Sequence, residues 1–248
     1  MKVIIPLAGK GTRLRPHTHV IPKPLIKIAG KPMMAYILEK LERLGTVEQV
    51  IYITGHLKEK VEEYVRENWQ LPAVFVEQVV QDGTGKAAHL ARDFVGAASF
   101  LLTYGDILVR PETYPQMVRR YNEGHFSGVI TVTRGQDVTK GAVNFFDEQF
   151  CLTRLIEKPT PGQLEQLQAE GLLRPGAPVW YNAGIYIFRP SLFEFTAKLQ
   201  PSPRGEYELT DAVAGLVAAH HRLAGLEIQG RWVDVRDPEV LAALQQGA

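Results

Sequence analysis

The sequence predicts an α/β fold: a doubly wound, mostly parallel sheet with helices on both faces. Three observations carry this. Apolar runs such as Val3-Ile4-Ile5 and Ala98 to Thr103 have the continuous hydrophobicity of strands buried on both sides. Segments with apolar residues at helical spacing lie between them, so strand and helix alternate. The first strand breaks directly into a glycine-rich, basic turn, Ala8-Gly9-Lys10-Gly11-Thr12-Arg13, and open sheets of this kind bind ligands beyond the carboxyl ends of their strands.

In chain order, Met33 to Leu44 reads as a helix, with Pro32 suited to its first turn. Val47 to Thr54 reads as a strand, Leu57 to Trp69 as an amphipathic helix with a charged outer face, and Ala73 to Glu77 as a short strand. Gly85 to Phe94 reads as a further helix before the Ala98 to Thr103 strand, which ends abruptly at Tyr104-Gly105-Asp106. Right-handed crossovers between such strands give a Rossmann-like core. After Tyr121 the pattern turns to strands: Phe126 to Thr133, Ala142 to Phe146, Leu152 to Glu157 and Val179 to Phe188, interrupted by a helix around Leu164 to Glu170. Pro175-Gly176-Ala177-Pro178 marks a loop. A helix near Glu208 to His220, a strand near Leu226 to Gln229, the Trp232 to Val235 segment and a last helix complete the chain. No linker-like stretch separates residues 1–121 from 122–248, and no internal repeat is visible, so one domain is expected.

With 248 residues and 45% hydrophobic content the chain is long enough for a substantial core. A net charge of +1 carries no basic field of the kind nucleic acid attracts, so no nucleic-acid partner is expected. A single cysteine, Cys151, excludes an internal disulfide and a cysteine zinc site. The histidines form no pair at metal-ligand spacing, and His220-His221 reads as a solvated helix end. The sequence opens directly on a strand without a secretory leader pattern, and no apolar run approaches the ~20 residues of a membrane span. A cytoplasmic chain with no membrane partner is expected.

The turn after the first strand has the chemistry of a polyphosphate site. Glycines let a ligand approach the main chain, and exposed backbone N–H groups form an anion-binding concavity. Lys10, Arg13, Arg15 and Lys23 add positive charge, the arginines with paired donors for phosphate oxygens. The turn is not a Walker A loop, because Lys10 sits between Gly9 and Gly11. Nor is it the dinucleotide fingerprint, because Leu14 stands where a third glycine belongs.

Together with Arg13-Leu14-Arg15-Pro16 and Pro22-Lys23-Pro24-Leu25, this turn resembles the signature of the sugar-1-phosphate nucleotidylyltransferases, most closely their glucose-1-phosphate thymidylyltransferase branch. Many members have one more glycine in the loop. The resemblance implies the nucleotide-diphospho-sugar transferase fold, with residues 1–121 as a nucleotide-binding half and 122–248 as a sugar-binding half. It also implies that Leu7, Ala8, Gly9, Gly11, Thr12 and Arg13 wrap a nucleoside triphosphate, with Lys23 facing its phosphates. The chain has no hexapeptide repeat, so the C-terminal β-helix that many relatives carry is not expected.

Other candidates are ambiguous alone and acquire roles through the resemblance. Asp106 follows glycine at a strand end, where a carboxylate can reach a metal beside phosphates, but standing alone it reads first as a turn aspartate. Asp234 reads equally as an edge-strand polar residue. The resemblance makes both Mg²⁺ ligands, and Mg²⁺ characteristically takes one or two carboxylates plus substrate phosphates. The family follows its late Trp-x-Asp with Gly-Thr-Pro, whereas here Val235-Arg236-Asp237-Pro238 follows. Gln78 carries a donor and an acceptor suited to a pyrimidine edge, and the family places Gln and Gly at the spacing of Gln78 and Gly83 to contact the base. Glu157-Lys158-Pro159 resembles a motif whose glutamate bonds sugar hydroxyls and whose lysine holds the sugar phosphate. Asn182-Ala183-Gly184 resembles the sugar-contacting strand, Gly141 falls near the sugar, and Arg204 matches an arginine aimed at the sugar phosphate.

The expected reaction is Mg²⁺-dependent transfer of a nucleotidyl group from dTTP or UTP to a sugar 1-phosphate, glucose 1-phosphate first, with release of pyrophosphate. Arg13, Lys23 and Lys158 are its expected catalytic residues. Mannose or glucosamine phosphates remain open as acceptors. A cytidylyltransferase of a non-sugar phosphate and a catalytically silent homologue are the rival classes; the second would be expected to lack Arg13, Asp106 or Lys158, and all three are present. Relatives are often dimers or tetramers, so a homo-oligomer is left open.

Overall fold

The computed structural model describes residues 1–174 and 176–246; Pro175, part of the expected 175–178 loop, lies outside them. Strand β1 (Lys2–Pro6) is central and alternates its side chains between two cores: Val3 and Ile5 enter one, Ile4 the other, each at most 1% exposed. A small hairpin of β2 (Lys27–Ile28) and β3 (Lys31–Pro32) leads into α1 (Met33–Leu44), which ends at Gly45 in a left-handed conformation. Then follow β4 (Gln49–Thr54), α2 (Lys58–Asn68) and β5 (Ala73–Glu77). The helix expected over 85–94 is divided at Ala91 into α3 (Thr84–Leu90) and α4 (Arg92–Val95). After β6 (Phe100–Thr103) come β7 (Ile107–Val109) and α5 (Thr113–Asn122), two elements the sequence did not announce.

The second half contains β8 (Gly128–Thr133), β9 (Ala142–Phe146), β10 (Leu152–Glu157), α6 (Pro161–Ala169), β11 (Trp180–Phe188), α7 (Leu192–Thr196) and α8 (Leu209–Ala218). It closes with β12 (Leu223–Glu227), β13 (Trp232–Asp234) and α9 (Pro238–Gln246). Thr160 starts α6 with a reciprocal capping box to Gln163, directly after Lys158 and Pro159. His221 is not a solvated helix end: its Nδ1 lies 3.1 Å from Ser127 Oγ and its ring packs edge-on to Phe195.

Nine strands form one sheet that draws on both halves. In the first half the order β5-β4-β1-β6 is wholly parallel. The chain moves outward from β1 through β4 to β5, then returns to the other side of β1 as β6, which makes the β1/β6 boundary a topological switch point. Following the pairings outward, seven strands run one way, and only β10 and β11 oppose them. α1, α2 and α5 cover one face and α3, α4, α7 and α8 the other.

The sheet forks along β11. β6 pairs with Ile185–Phe188, whereas β9 pairs with Trp180 and Tyr181, so residues 182–184 lie where these two partners part. The pairing of β11 with β8 is irregular between Asn182 and Tyr186, and Thr131 Oγ1 fills the gap by donating to the Ile185 carbonyl and accepting from its N–H. A separate small core joins Leu14, Ile26, Ile28 and Met33 to Val235, Leu241 and Leu244, tying the first turn of the chain to its last helix. Among the described residues no helix is long and apolar enough to cross a membrane.

Candidate active site

The switch point and the fork open into a single cleft of about 460 Å³, within the usual range for a small-molecule site. At one end, Leu7 and Ala8 are buried where β1 stops. No acceptor among the described residues takes the main-chain N–H of Ala8, Gly9, Lys10 or Gly11, so these donors are available to an anion. Gly11 turns the loop with φ +58°, and its carbonyl accepts from the buried Thr18 hydroxyl at 2.9 Å. Arg13 and Lys23 stand on the cleft wall, while Thr12 is exposed and off it.

The amide nitrogen of buried Gln78 lies 3.3 Å from Asp82 Oδ1 and 3.1 Å from the Gly83 carbonyl. Its amide oxygen is left for a ligand, one acceptor where the sequence led us to expect a donor as well. Gly83 lies beneath the main chain of Tyr207, whose N–H bonds the Asp82 carbonyl at 2.7 Å and whose carbonyl accepts from Gly85 at 2.8 Å.

Two carboxylates meet beside the phosphate loop because β7 and β13 pair antiparallel, with Ile107 opposite Asp234. Lys23 is ion-paired with Asp106, and Arg236 Nε lies 3.1 Å from Asp234 Oδ2. Burial, and after it the charge of Asp106, push the Asp234 carboxyl up to about 6 against the opposing pull of Arg236, Lys23 and Arg13. Among the described residues no third carboxylate, histidine or cysteine completes a cage. Two carboxylates with open positions fit a Mg²⁺ ion that takes its remaining ligands from phosphates and water.

Glu157 and Lys158 lie across the cleft at the end of β10. Burial, opposed first by Lys158, raises the Glu157 carboxyl above its ordinary range; Thr210 donates to it at 3.2 Å. Lys158 adopts φ +43°, a left-handed conformation that costs a non-glycine residue roughly 1–2 kcal/mol, and its N–H is held by the Gly141 carbonyl at 3.0 Å. A Cβ on Gly141 would overlap the Tyr181 hydroxyl. Asn182 is buried at the fork, its amide oxygen accepting from Gly184 N–H at 3.1 Å and from Tyr186 Oη at 3.0 Å. Its two amide protons remain for a ligand. Gly184 has φ +77°, and a Cβ there would come within 2.9 Å of the Tyr104 ring. Arg204 stands behind the wall rather than on it, 2.5 Å from Glu208 and 3.7 Å from Glu157.

Thus the cleft gathers the two aspartates, Arg13, Lys23, Gln78 and Gly83 with Gly141, Glu157, Lys158, Asn182 and Gly184. It also contains residues the sequence did not single out: Tyr104, Trp232 and Arg236. Trp232 Nε1 bonds the Ala183 carbonyl at 2.9 Å and so fastens β13 to the fork. The sequence signal for Trp232 was its place two residues before Asp234; Arg236 had none, because it departs from the familiar pattern.

A profile of the nucleotidyl transferase family matches residues 2–247. The bifunctional protein GlmU of Methanococcus maripaludis (strain C7) is 36% identical over 98% of this chain and 53% of its own length. A bifunctional sugar-1-phosphate nucleotidylyltransferase/acetyltransferase of Sulfurisphaera tokodaii is 32% identical over 96% of this chain and 53% of its own. The chain therefore spans about half the length of these curated relatives. The crystal structure of a UDP-glucose pyrophosphorylase complexed with UDP-glucose superposes with a TM-score of 0.85, covering 99% of this chain and 97% of that one at 23% identity, which establishes the shared fold. A strand-to-loop turn with free N–H groups, a carboxylate pair beside it and a near full-length profile match lead to one conclusion: this chain belongs to the nucleotidyl transferase family.

Proposed function

We propose that the chain transfers a nucleotidyl group from a pyrimidine nucleoside triphosphate, dTTP or UTP, to a sugar 1-phosphate, with glucose 1-phosphate as the leading acceptor. The observation that carries this reading is the shared cleft: free loop N–H groups, Arg13, Lys23 and two carboxylates at one end, Glu157, Lys158 and Asn182 at the other. Two anionic substrates brought together in such a cleft need charge neutralisation and alignment above all.

The Gly9–Gly11 N–H groups and Arg13 hold the β- and γ-phosphates and stabilise pyrophosphate as it leaves. Lys23 exchanges Asp106 for phosphate oxygens. Asp106 and Asp234 hold Mg²⁺, which when bound neutralises charge on the phosphates. Lys158 fixes the acceptor phosphate, and Glu157 and Asn182 bond sugar hydroxyls. An acceptor phosphate oxygen forms the new bond to the α-phosphorus while the bond to the α,β-bridging oxygen breaks. No general base is required, since a phosphate monoester is largely dianionic at neutral pH. The Gln78 amide oxygen accepts from the N3–H of the pyrimidine.

The test is pyrophosphate release with Mg²⁺ and glucose 1-phosphate, run separately with dTTP, UTP, CTP, GTP and ATP. Turnover with dTTP or UTP is expected. Preference for CTP, or silence with every nucleotide across glucose, mannose and glucosamine phosphates, would contradict the reading.

A further inference from the structure

Arg236, two residues after Asp234, reaches into the cleft. Its side chain is only 13% exposed. Nε pairs with Asp234 at 3.1 Å, and Nη1 lies 3.1 Å from the Tyr181 hydroxyl and 3.5 Å from the Lys140 carbonyl. No acceptor among the described residues takes the Nη2 protons. Among the described residues Asp234 is thus the one carboxylate that bonds it directly, Asp237 acts on it only through its charge, and the other two bonded groups are neutral.

That arrangement is balanced only while Asp234 is free. Once a divalent cation takes the Asp234 carboxylate, a largely buried guanidinium keeps two neutral acceptors and only the unbonded charge of Asp237, which favours a new anionic partner. Arg236 and Lys158 bond adjacent carbonyls: the Arg236 side chain that of Lys140, the Lys158 main-chain N–H that of Gly141. Both residues line the same cleft beside Lys140 and Gly141.

Resting on the transfer reading above, we infer that Arg236 is a further substrate-binding residue, which leaves Asp234 for the acceptor's phosphate and clamps it together with Lys158. In the free chain the same guanidinium is the internal counter-ion of Asp234 and competes with the divalent cation for it. The planar fork of arginine suits both partners, since carboxylate and phosphate each accept two parallel N–H bonds.

The two roles have opposite consequences when Arg236 is removed, and a purely structural role has neither. Arg236→Gln and Arg236→Lys are compared with wild type in two measurements: pyrophosphate release with both substrates varied, and Mn²⁺ titration of the substrate-free chain by electron paramagnetic resonance. For Arg236→Gln, KM for the sugar 1-phosphate is expected to rise roughly ten- to a hundredfold, the loss usual for a charged hydrogen-bond partner, with KM for the nucleotide little changed. Mn²⁺ should bind the free variant more tightly than wild type. Arg236→Lys should recover part of the acceptor affinity. Wild-type turnover with an unchanged acceptor KM in Arg236→Gln, equal losses for both substrates, or weakened Mn²⁺ binding overturns the clamp alone. No turnover by the wild-type chain overturns the transfer reading and the clamp with it.

Discussion

The main-chain N–H of Val235 donates to the carbonyl of Asp106 at 3.0 Å, and this bond prolongs the β7–β13 ladder to the point where two carboxylates meet. A short pairing between segments more than a hundred residues apart thus sets the electrostatics of the cleft. Asp106 is matched by Lys23 and Asp234 by Arg236, so the cation-free site is held near neutrality by the protein's own basic residues.

The pH dependence of stability follows from Asp234. Its carboxyl rises from 3.8 to about 6 on folding, so the folded state binds the proton more tightly than the unfolded state. Stability from this group is full below 3.8 and is lost as pH rises through 6. In chelator, wild type should lose more Tm than Asp234→Asn as pH rises from 5 to 7.5, because only wild type carries the raised carboxyl. Mg²⁺ should raise the Tm of wild type at pH 7.5 and leave the variant unmoved. An equal change in Tm between pH 5 and 7.5 in both chains would refute this assignment of the shift.

The transfer reading assigns Arg13, on the cleft wall, to the leaving pyrophosphate. Arg13→Ala should lower kcat by roughly 10²–10³, the typical loss when one preorganised charge stabiliser is removed. A kcat within a few-fold of wild type would remove Arg13 from that role.

Lys158 holds its charge in a strained backbone. Lys158→Gly relieves the left-handed conformation, roughly 1–2 kcal/mol, while glycine adds about 0.5–1 kcal/mol of unfolded-state entropy. Thermal unfolding should therefore show a Tm equal to or slightly above that of wild type, although acceptor KM rises steeply. A clear fall in Tm would mean that the side chain supports the fold rather than the substrate.

Gly184→Ala tests the fork. It places an L side chain at φ +77° and brings Cβ within 2.9 Å of the Tyr104 ring. The backbone term alone is roughly 1–2 kcal/mol, which for a chain of this size lowers Tm by about 2–8 °C. Calorimetry that finds no loss would show that β11 can relax here without cost.

Much of this was legible in the sequence, for identifiable reasons. β5, β9, β10 and α1 have the predicted boundaries, because each is an uninterrupted apolar or periodic run bounded by polar or turn residues. β7 is three residues long and offers no periodicity to read, and α5, though Pro115 in its first turn suits a helix start, buries only Thr113, Tyr114 and Met117 and so shows little apolar periodicity. The basic, glycine-rich turn was visible because its chemistry is local, whereas the strand-end Asp106 read alone as a turn aspartate and gained a metal role only through the resemblance. Arg204 was read as facing substrate, yet Glu208 and Glu157 draw it behind the wall, and only the tertiary fold brings those carboxylates to it. The half-engaged Gln78 amide and the inward turn of Arg236 depend likewise on partners that no short motif contains.

Label transfer addresses the central claim most directly. The chain is incubated with Mg²⁺, glucose 1-phosphate and dTTP or UTP radiolabelled at the α-phosphorus, and products are separated by anion exchange. The label should appear in a nucleotide-sugar in one-to-one ratio with pyrophosphate, and Asp106→Asn with Asp234→Asn should abolish it. Label recovered only as nucleoside monophosphate, or as unreacted triphosphate with every sugar phosphate offered, would contradict nucleotidyl transfer to a sugar as the work of this cleft.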